Sequence, residues 1–131
     1  MTRLARTLSA AAAVAALGLA SAPVLSAGPS PLGSWQLSSG ESRYVVSECG
    51  DGQLCAKLVW LRDDARTPAN LQYLNQWVVQ GARQVEANKW QGTVTYDGER
   101  IGGHITMTGD NTIRLTGCKV IACQSFVLNR I

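Results

Sequence analysis

Histidine and charged residues are scarce in this chain of 131 residues, which contains one histidine and 16% charged side chains. A single imidazole excludes a multi-histidine metal cage and a site that combines a Ser-His-Asp triad with a histidine-bound metal. No cluster of lysine and arginine is present, so the net charge of +3 does not indicate a nucleic-acid surface. The 46% of hydrophobic residues is typical of a folded chain, and the length fits one domain.

Sequence signatures of catalysis are also missing. No G-x-S-x-G elbow occurs, and Gly102-Gly103 is not followed by the Lys-Ser/Thr of a phosphate loop. The adjacent carboxylates lie in or beside predicted turns, where Asp caps backbone groups: Asp63-Asp64, Asp97 with Glu99, and Glu48 with Asp51. His104 is predicted to lie on the strand face opposite Ile105, at the surface. A hydrolase is therefore the least favoured function, and no catalytic residue is predicted.

The N-terminus has the pattern of a secretory signal peptide. Arg3 and Arg6 precede an apolar, alanine-rich run, which ends in the small residues Ser26-Ala27. Cleavage after Ala27 is favoured and would leave residues 28–131 as a single domain, nearly neutral in charge. The apolar run is interrupted by Gly18 and Pro23, so a stable membrane span is not expected. The prediction is a periplasmic or secreted protein.

Export makes disulfides the expected state of the four cysteines, Cys49, Cys55, Cys118 and Cys123. Four cysteines allow three connectivities. We favour Cys49–Cys55 and Cys118–Cys123, because each pair brackets a short segment typical of a turn. The alternative is a zinc site formed by all four thiolates, but the spacings C-x5-C and C-x4-C differ from the usual C-x2-C knuckles. No metal and no cofactor is predicted.

Most of residues 28–131 has the pattern of short strands. Alternation is clearest at Leu54–Leu61, where Leu54, Ala56, Leu58 and Trp60 are predicted to share one face. Asp97-Gly98 between two such runs is a strong hairpin signal. The predicted strands are Ser34–Ser38, Arg43–Cys49, Leu54–Leu61, Lys89–Tyr96, Arg100–Thr108, Thr112–Cys118 and Ser125–Arg130. This number of short strands predicts an all-β sandwich or a small antiparallel barrel.

One segment, residues 67–80, has a helical pattern. Thr67-Pro68 is a suitable N-cap followed by proline at the first helical position. Leu71, Leu74 and Val78 then recur at helical spacing, and Gly81 is a suitable end. Val78-Val79 is an alternative start for a strand. We predict one short helix here.

Two cysteine-containing segments, Cys49-Gly50 and Leu54–Leu61, together have the pattern C-G…L-C-A-K-L-V-W-L. This pattern resembles a bacterial exported family, catalogued as domain of unknown function 2147. Cys49-Gly50 followed by Leu54–Leu61 resembles its C-G-x-x-L-C-G-R-I-V-W-L block, although Ala56 replaces the family's glycine. Trp90-Gln91-Gly92 and the ending Leu128-Asn129-Arg130 resemble two further blocks, with Leu128 in place of tryptophan. The resemblance covers residues 33–131 and is poor over residues 62–80. It implies a calycin-like β-barrel of about eight strands without an established activity.

A G-x-W sequence, Gly33-Ser34-Trp35, starts the first predicted strand, and Arg130 lies on the last. In lipocalin-like folds such a tryptophan packs under an arginine of the closing strand. The resemblance therefore implies that Trp35 and Arg130 close one end of the barrel, a structural role. A guanidinium over an indole is attractive by about 0.5–2 kcal/mol.

The remaining large side chains are candidates for a binding site, since ligand pockets are mostly apolar. These candidates are Tyr44, Trp60, Trp90, Tyr96 and Met107; the simpler alternative is that they form the core. The predicted function is an exported non-enzymatic binding module of the cell envelope that holds a small apolar or amphipathic ligand. The alternative is a protein-binding or inhibitor module, with an envelope protein as partner, which acts through the disulfide-pinned loops Gly50–Leu54 and Lys119–Ala122. No nucleic-acid partner is expected.

Overall fold

Eight antiparallel strands form a closed barrel in the computed structural model, which describes residues 30–131. Each strand pairs with the next, and the last pairs with the first. The strands are β1 Gly33–Leu37, β2 Ser42–Gly50, β3 Gln53–Leu61, β4 Trp77–Glu86, β5 Lys89–Tyr96, β6 Glu99–Gly109, β7 Thr112–Lys119 and β8 Ala122–Arg130. The predicted all-β, calycin-like architecture is confirmed. The predicted signal peptide, residues 1–27, lies outside the described residues.

Turn chemistry fixes the register of the β5–β6 hairpin. Asp97 and Gly98 both have positive φ angles, 50° and 74°, as a two-residue turn that matches strand twist requires. Tyr96 pairs with Glu99, and the register continues without a shift to Lys89 and Thr106. The hairpin that Asp97-Gly98 predicts is therefore present with its predicted turn.

A β-bulge in β3 changes which face Trp60 occupies. Tyr44 of β2 pairs with Leu58, but Arg43 pairs with Trp60, so Val59 is an extra residue on this strand. An extra residue reverses the alternation of faces that follows it. Leu61 is consequently buried at 4% exposure, and the prediction that Trp60 shares a face with Leu58 is wrong.

The connection between β3 and β4 is helical for only part of the predicted length. A 3-10 turn, Asp63–Ala65, precedes a four-residue helix α1, Pro68–Leu71. Thr67 caps this helix through its hydroxyl, which accepts a hydrogen bond from the Asn70 backbone N–H at 3.3 Å. The helix ends at Leu71 rather than near Gly81, because the segment from Trp77 is needed as β4 to close the barrel between β3 and β5. For Val78-Val79 the strand alternative is correct.

One end of the barrel is sealed by Trp35, which is fully buried. Its indole N–H donates to the Pro31 carbonyl at 2.8 Å, and the Arg130 guanidinium carbon lies 4.3 Å from its ring centroid. Arg130 also donates to the carbonyls of Leu32 and Ser30, both at 2.8 Å, and to that of Asp110. This end, termed the closed end below, therefore has the Trp35–Arg130 packing that the resemblance implied.

Three glycines lie side by side across β5, β6 and β7: Gly92 pairs with Gly103, and Gly103 with Gly117. A Cβ at Gly103 would lie 2.4 Å from Val94 Cγ2 and 2.5 Å from the Thr116 carbonyl oxygen. The missing side chains leave room for Val94 and its neighbours. The sheet is therefore packed too closely here for any larger residue.

Both predicted disulfides are present, Cys49–Cys55 and Cys118–Cys123. All four sulfurs are bonded, so the alternative of a four-cysteine zinc site is wrong. The first bridge pins the β2–β3 turn at the closed end, and the second pins the β7–β8 turn at the opposite, open end.

Between residues 30 and 131, no helix has the length and apolar character needed to cross a bilayer.

Candidate functional site

The open end of the barrel contains a cavity of about 240 Å³. Three hairpin turns, β1–β2, β5–β6 and β7–β8, meet there with the long β3–β4 connection. That connection contributes Ala65, Asn70 and Tyr73 to the lining, so it forms one side of the mouth. The cavity exists because Trp35 and the core fill only the other part of the barrel.

The cavity walls are mainly apolar and aromatic. The aliphatic lining residues are Leu37, Leu58, Leu61, Val78, Val94, Leu115 and Leu128, with Phe126 beside them. The volume exceeds the roughly 150 Å³ of a cavity that holds benzene, and is below the roughly 300–1,000 Å³ of pockets for larger ligands. The space therefore fits a single ring or a short acyl chain, on the order of ten non-hydrogen atoms by proportion to benzene.

Tyr44 places a neutral hydroxyl at the base of the cavity. Ser42, which is buried, donates a hydrogen bond to the Tyr44 hydroxyl at 3.0 Å. Burial raises the pKa of Tyr44 above its ordinary value of 10.0, and the nearby Glu41 charge raises it further, although the Ser42 hydrogen bond opposes both. The phenol is therefore uncharged at neutral pH, and its own hydrogen can be donated to a ligand.

Two other polar side chains of the lining form hydrogen bonds within the protein. Asn70 donates from Nδ2 to the Ala65 carbonyl at 2.9 Å, which holds α1 against the 3-10 turn. The Tyr96 hydroxyl donates to Gln124 Oε1 at 2.6 Å, across to β8. These hydrogen bonds fix the shape of the mouth and leave few donors for a ligand.

The charged side chains of the cavity lining, within residues 30–131, are Glu41 and Asp97. Arg62 is close to Glu41, at 4.0 Å, but it binds Asp64 much more closely, at 2.6 Å from Nε. That ion pair lowers the pKa of Asp64. Because both charged residues of the lining are carboxylates, the rim of the cavity is acidic.

The cavity has a closed floor. Tyr44, Val78, Leu115 and Leu128 line both it and a smaller space of about 20 Å³ further in. That inner space is too small for an organic ligand, and Trp35 lies beneath it. A ligand can therefore enter from the open end only and penetrate part of the barrel.

The structure separates the five predicted ligand-binding residues into three groups. Tyr44 and Tyr96 line the cavity. Trp90 and Met107 lie in the hydrophobic core, at 8% and 4% exposure. For these two residues the alternative of a core position is therefore correct. Trp60 is outside the cavity lining, with the Arg43 guanidinium carbon 4.3 Å from its ring centroid, because the bulge at Val59 displaces it.

Tyr73 and Phe126, which were not among the predicted site residues, bring two more aromatic rings to the cavity. Phe126 lies 6.0 Å from Tyr96, centroid to centroid. The strand period could have placed Phe126 on the same face as Leu128, which is buried. No local pattern marks Tyr73, since its position depends on how the β3–β4 connection folds over the mouth.

The side chains considered for catalysis are not brought together. His104 lies on β6 outside the cavity lining, partly buried, and its burial and the neighbouring Lys89 charge lower its pKa below 6.5. Asp63 and Asp64 are exposed in the 3-10 turn. In the part of the chain that the structure describes, no three His, Cys, Asp or Glu side chains are placed to hold a metal ion.

The β7–β8 turn carries two apolar side chains into solvent. Val120 and Ile121 are 102% and 97% exposed, at the tip that the Cys118–Cys123 disulfide pins. This turn, called the apolar tip below, lies at the same end of the barrel as the cavity. These two exposed β-branched residues, on a turn closed by a disulfide, form a small exposed apolar patch.

Comparisons with known proteins found no match to this chain among family models, curated proteins or solved structures.

Proposed function

We propose that the protein is an exported, non-enzymatic binding module of the cell envelope, which holds a small apolar or amphipathic ligand at the open end of its barrel. The observation that carries the proposal is the cavity of about 240 Å³ with aliphatic walls and one neutral phenol at its base. Pockets for small molecules combine largely apolar walls with a few polar groups in this way.

Export is supported by two features of the chain. The signal-peptide pattern of residues 1–27 directs secretion. The two disulfides are the bonds that persist in oxidising compartments such as the periplasm. The resemblance of residues 33–131 to domain of unknown function 2147, together with the calycin-like barrel, supports membership of that family as part of the same proposal.

The size of the cavity sets the affinity to be expected. Ligands gain between about 0.3 and 1.5 kcal/mol per non-hydrogen atom. At roughly 0.5 kcal/mol per atom, about ten atoms contribute about 5 kcal/mol, which corresponds to a Kd on the order of 0.2 mM. Binding of this strength is measurable by NMR titration, and a tighter natural ligand would survive purification.

The first experiment is native mass spectrometry of the exported protein before and after solvent extraction. We expect a bound mass that extraction removes. In parallel, hexanol is titrated into the extracted protein and followed through the NMR signals of Tyr44, Tyr96 and Phe126.

A matched pair of variants tests whether the cavity is the site. Ala65→Leu adds a larger side chain to the lining, whereas Ala87→Leu adds the same atoms to an exposed turn at the closed end. We expect Ala65→Leu to weaken binding at least about tenfold and Ala87→Leu to leave it unchanged. Equal binding of hexanol by both variants would contradict the proposal. A protein that carries no bound mass and whose NMR signals do not change on addition of hexanol would also contradict it.

A second candidate function, protein binding or inhibition through disulfide-pinned loops, is favoured by the apolar tip. Val120 and Ile121 protrude fully, and the Cys118–Cys123 bridge holds them rigid. Rigid loops lose less entropy on binding than flexible ones. The other disulfide-pinned loop, at Gly50–Leu54, carries no comparably exposed large hydrophobic side chain.

The test of this candidate is inhibition of a wall-degrading muramidase, measured as residual lytic activity. The Val120→Ser/Ile121→Ser double variant is expected to lose inhibition. Val85→Ser, at a half-exposed position of β4, is the matched control and is expected to retain it. Absence of inhibition by the unaltered protein, or inhibition that the tip variant retains, would argue against this function for the tip.

A further inference from the structure

The charges at the mouth of the cavity are of one sign. Within residues 30–131, its charged lining residues are Glu41 and Asp97, and no lysine or arginine lines it. Glu41 belongs to the β1–β2 turn and Asp97 to the β5–β6 turn. Four strands separate these turns in either direction around an eight-strand barrel, so the two carboxylates lie on opposite sides of the mouth.

Two basic residues near the mouth are bound to other carboxylates, whereas Arg66, which follows the lining residue Ala65, is exposed and forms no ion pair among residues 30–131. Arg62 makes two hydrogen bonds to Asp64, at 2.6 and 2.9 Å, and a third to the Ser39 carbonyl. Lys119 pairs with Glu99 at 3.0 Å. Asp97 takes part in none of the ion pairs formed among residues 30–131, and Glu41 has only the 4.0 Å approach of Arg62. The charge of Lys119 also acts on Asp97, although its ion pair is with Glu99. The protein therefore compensates the negative charge of the rim in part, without a close ion pair to either Glu41 or Asp97.

Four aromatic rings line the same cavity: Tyr44, Tyr73, Tyr96 and Phe126. The face of an aromatic ring carries negative potential and attracts cations, most strongly where water is excluded. Recognition of ammonium groups by aromatic rings together with carboxylates follows from this attraction.

The hydrogen-bond donors of the lining give little support to an anion. The hydroxyl hydrogens of Ser42 and Tyr96 are used in bonds to Tyr44 and Gln124, and Asn70 has one amide hydrogen bound to Ala65. The hydroxyl hydrogens of Tyr44 and Tyr73 are left for a ligand, and that of Tyr44 lies at the base of the cavity rather than at the rim. A carboxylate or phosphate ligand would meet two like charges at the rim with few donors to offset them.

We infer that the ligand of the cavity is an organic cation, an ammonium group on a short apolar chain or ring. The apolar part lies between the aliphatic walls above Leu115 and Leu128, and the ammonium group lies at the rim between Glu41 and Asp97, against the tyrosine rings. This inference rests on the proposed function, since it names the chemical class of ligand for the same cavity.

The experiment compares three probes with the same six-carbon chain: hexyltrimethylammonium, hexanol and hexanoate. Each is titrated into the extracted protein at low and high salt, by NMR. We expect the cation to bind about tenfold more tightly than hexanol, hexanoate to bind least, and high salt to reduce the preference.

Two isosteric substitutions remove the rim charge without a change of shape. Glu41→Gln lies at an exposed turn, and Asp97→Asn keeps a residue that tolerates the positive φ of this position. The double variant is expected to bind the cation and hexanol equally. Asp110→Asn, in the β6–β7 turn at the closed end, removes one like charge away from the cavity and is expected to keep the preference.

The outcomes separate this inference from the proposed function. Hexanol or hexanoate bound as tightly as the cation would overturn the charge selectivity and leave the cavity as a ligand site. A cation preference that persists in the Glu41→Gln/Asp97→Asn variant would also overturn it. If none of the three probes binds, the proposed function fails, and the inference fails with it.

Discussion

Replacement of Gly103 by alanine is the most direct test of how closely the barrel is packed. The added Cβ would lie 2.4 Å from Val94 Cγ2 and 2.5 Å from the backbone oxygen of Thr116. Val94 is buried at 6% exposure, and the Thr116 carbonyl belongs to the neighbouring strand, so neither can move without displacing others. Overpacking of a core costs about 1–3 kcal/mol. Because both contacts are this short, we expect Gly103→Ala to lower the free energy of unfolding by about 3 kcal/mol.

Gly102 provides the control, since it neighbours Gly103 on the same strand. A Cβ at Gly102 meets no atom within 4 Å, and neither glycine has a left-handed backbone. Gly102→Ala should therefore raise stability by about 0.4–1 kcal/mol, because alanine restricts the unfolded chain. An unfavourable change of about 3 kcal/mol lowers the Tm of a domain of this size by about 12–24 °C.

Urea denaturation of both variants measures the difference between their free energies of unfolding. The slopes m are compared as well, because equal slopes exclude a change in the unfolded state. We expect the two free energies of unfolding to differ by about 3–4 kcal/mol, with Gly103→Ala the less stable. Free energies within about 1 kcal/mol of each other would show that β6 can shift to admit the methyl group, and the reasoning from the close strand contacts would be refuted.

Three further predictions concern Trp35, which plugs the closed end, the disulfide of the open end and the single histidine. Trp35→Ala should lower the free energy of unfolding by about 3–5 kcal/mol, and a loss below about 1 kcal/mol in urea would contradict its role as a buried plug. Joint replacement of Cys118 and Cys123 by alanine should cost about 2 kcal/mol and leave the β-sheet circular dichroism unchanged; loss of the sheet signal would contradict a merely local constraint. The pKa of His104, read from the only imidazole NMR signals of the chain, should lie below 6.5 and rise in Lys89→Gln. The contribution of His104 to stability is therefore present above pH 6.5 and lost as the pH falls through the folded-state pKa; a pKa at or above 6.5 would contradict the assigned burial and charge effects.

Local signals explain why most of the barrel could be predicted from the sequence. Alternation identifies strands because it depends only on which face is buried, and the Asp97-Gly98 dipeptide specifies its own turn. The disulfide pairing followed from the short separations of the cysteines, since each bridge joins the two sides of one hairpin.

The errors come from long-range requirements of the sheet. The spacing of Leu71, Leu74 and Val78 fits a helix, but barrel closure needs a strand between β3 and β5, and the pairing of Val79 with Val94 outweighs the local preference. The bulge at Val59 is likewise a response to the register of β2, so the period of two assigns Trp60 to the wrong face.

The level of a side chain within the barrel could not be predicted from the sequence, for the same physical reasons. Tyr44 and Tyr96 were candidates because they are large side chains without another assigned role, and the structure places both in the cavity lining. Trp90 and Met107 face inward too, but periodicity does not tell at which level of the barrel a residue lies. Tyr73 belongs to a connection whose path over the mouth depends on Asn70 bonding to Ala65, a contact that no sequence period encodes.

The limited depth of the cavity constrains what the protein can carry. Trp35 of β1 pairs directly with Tyr44 of β2, so the plug of the closed end and the base of the cavity are neighbours in the sheet. The inner space between them, of about 20 Å³, holds at most a water molecule and cannot extend the cavity for a longer ligand. A lipid with two long acyl chains would leave most of its apolar surface in water, at about 25 cal/mol per Å². The geometry therefore supports the proposal of a small amphiphile whose polar group stays at the rim, where the two carboxylates would favour a cation.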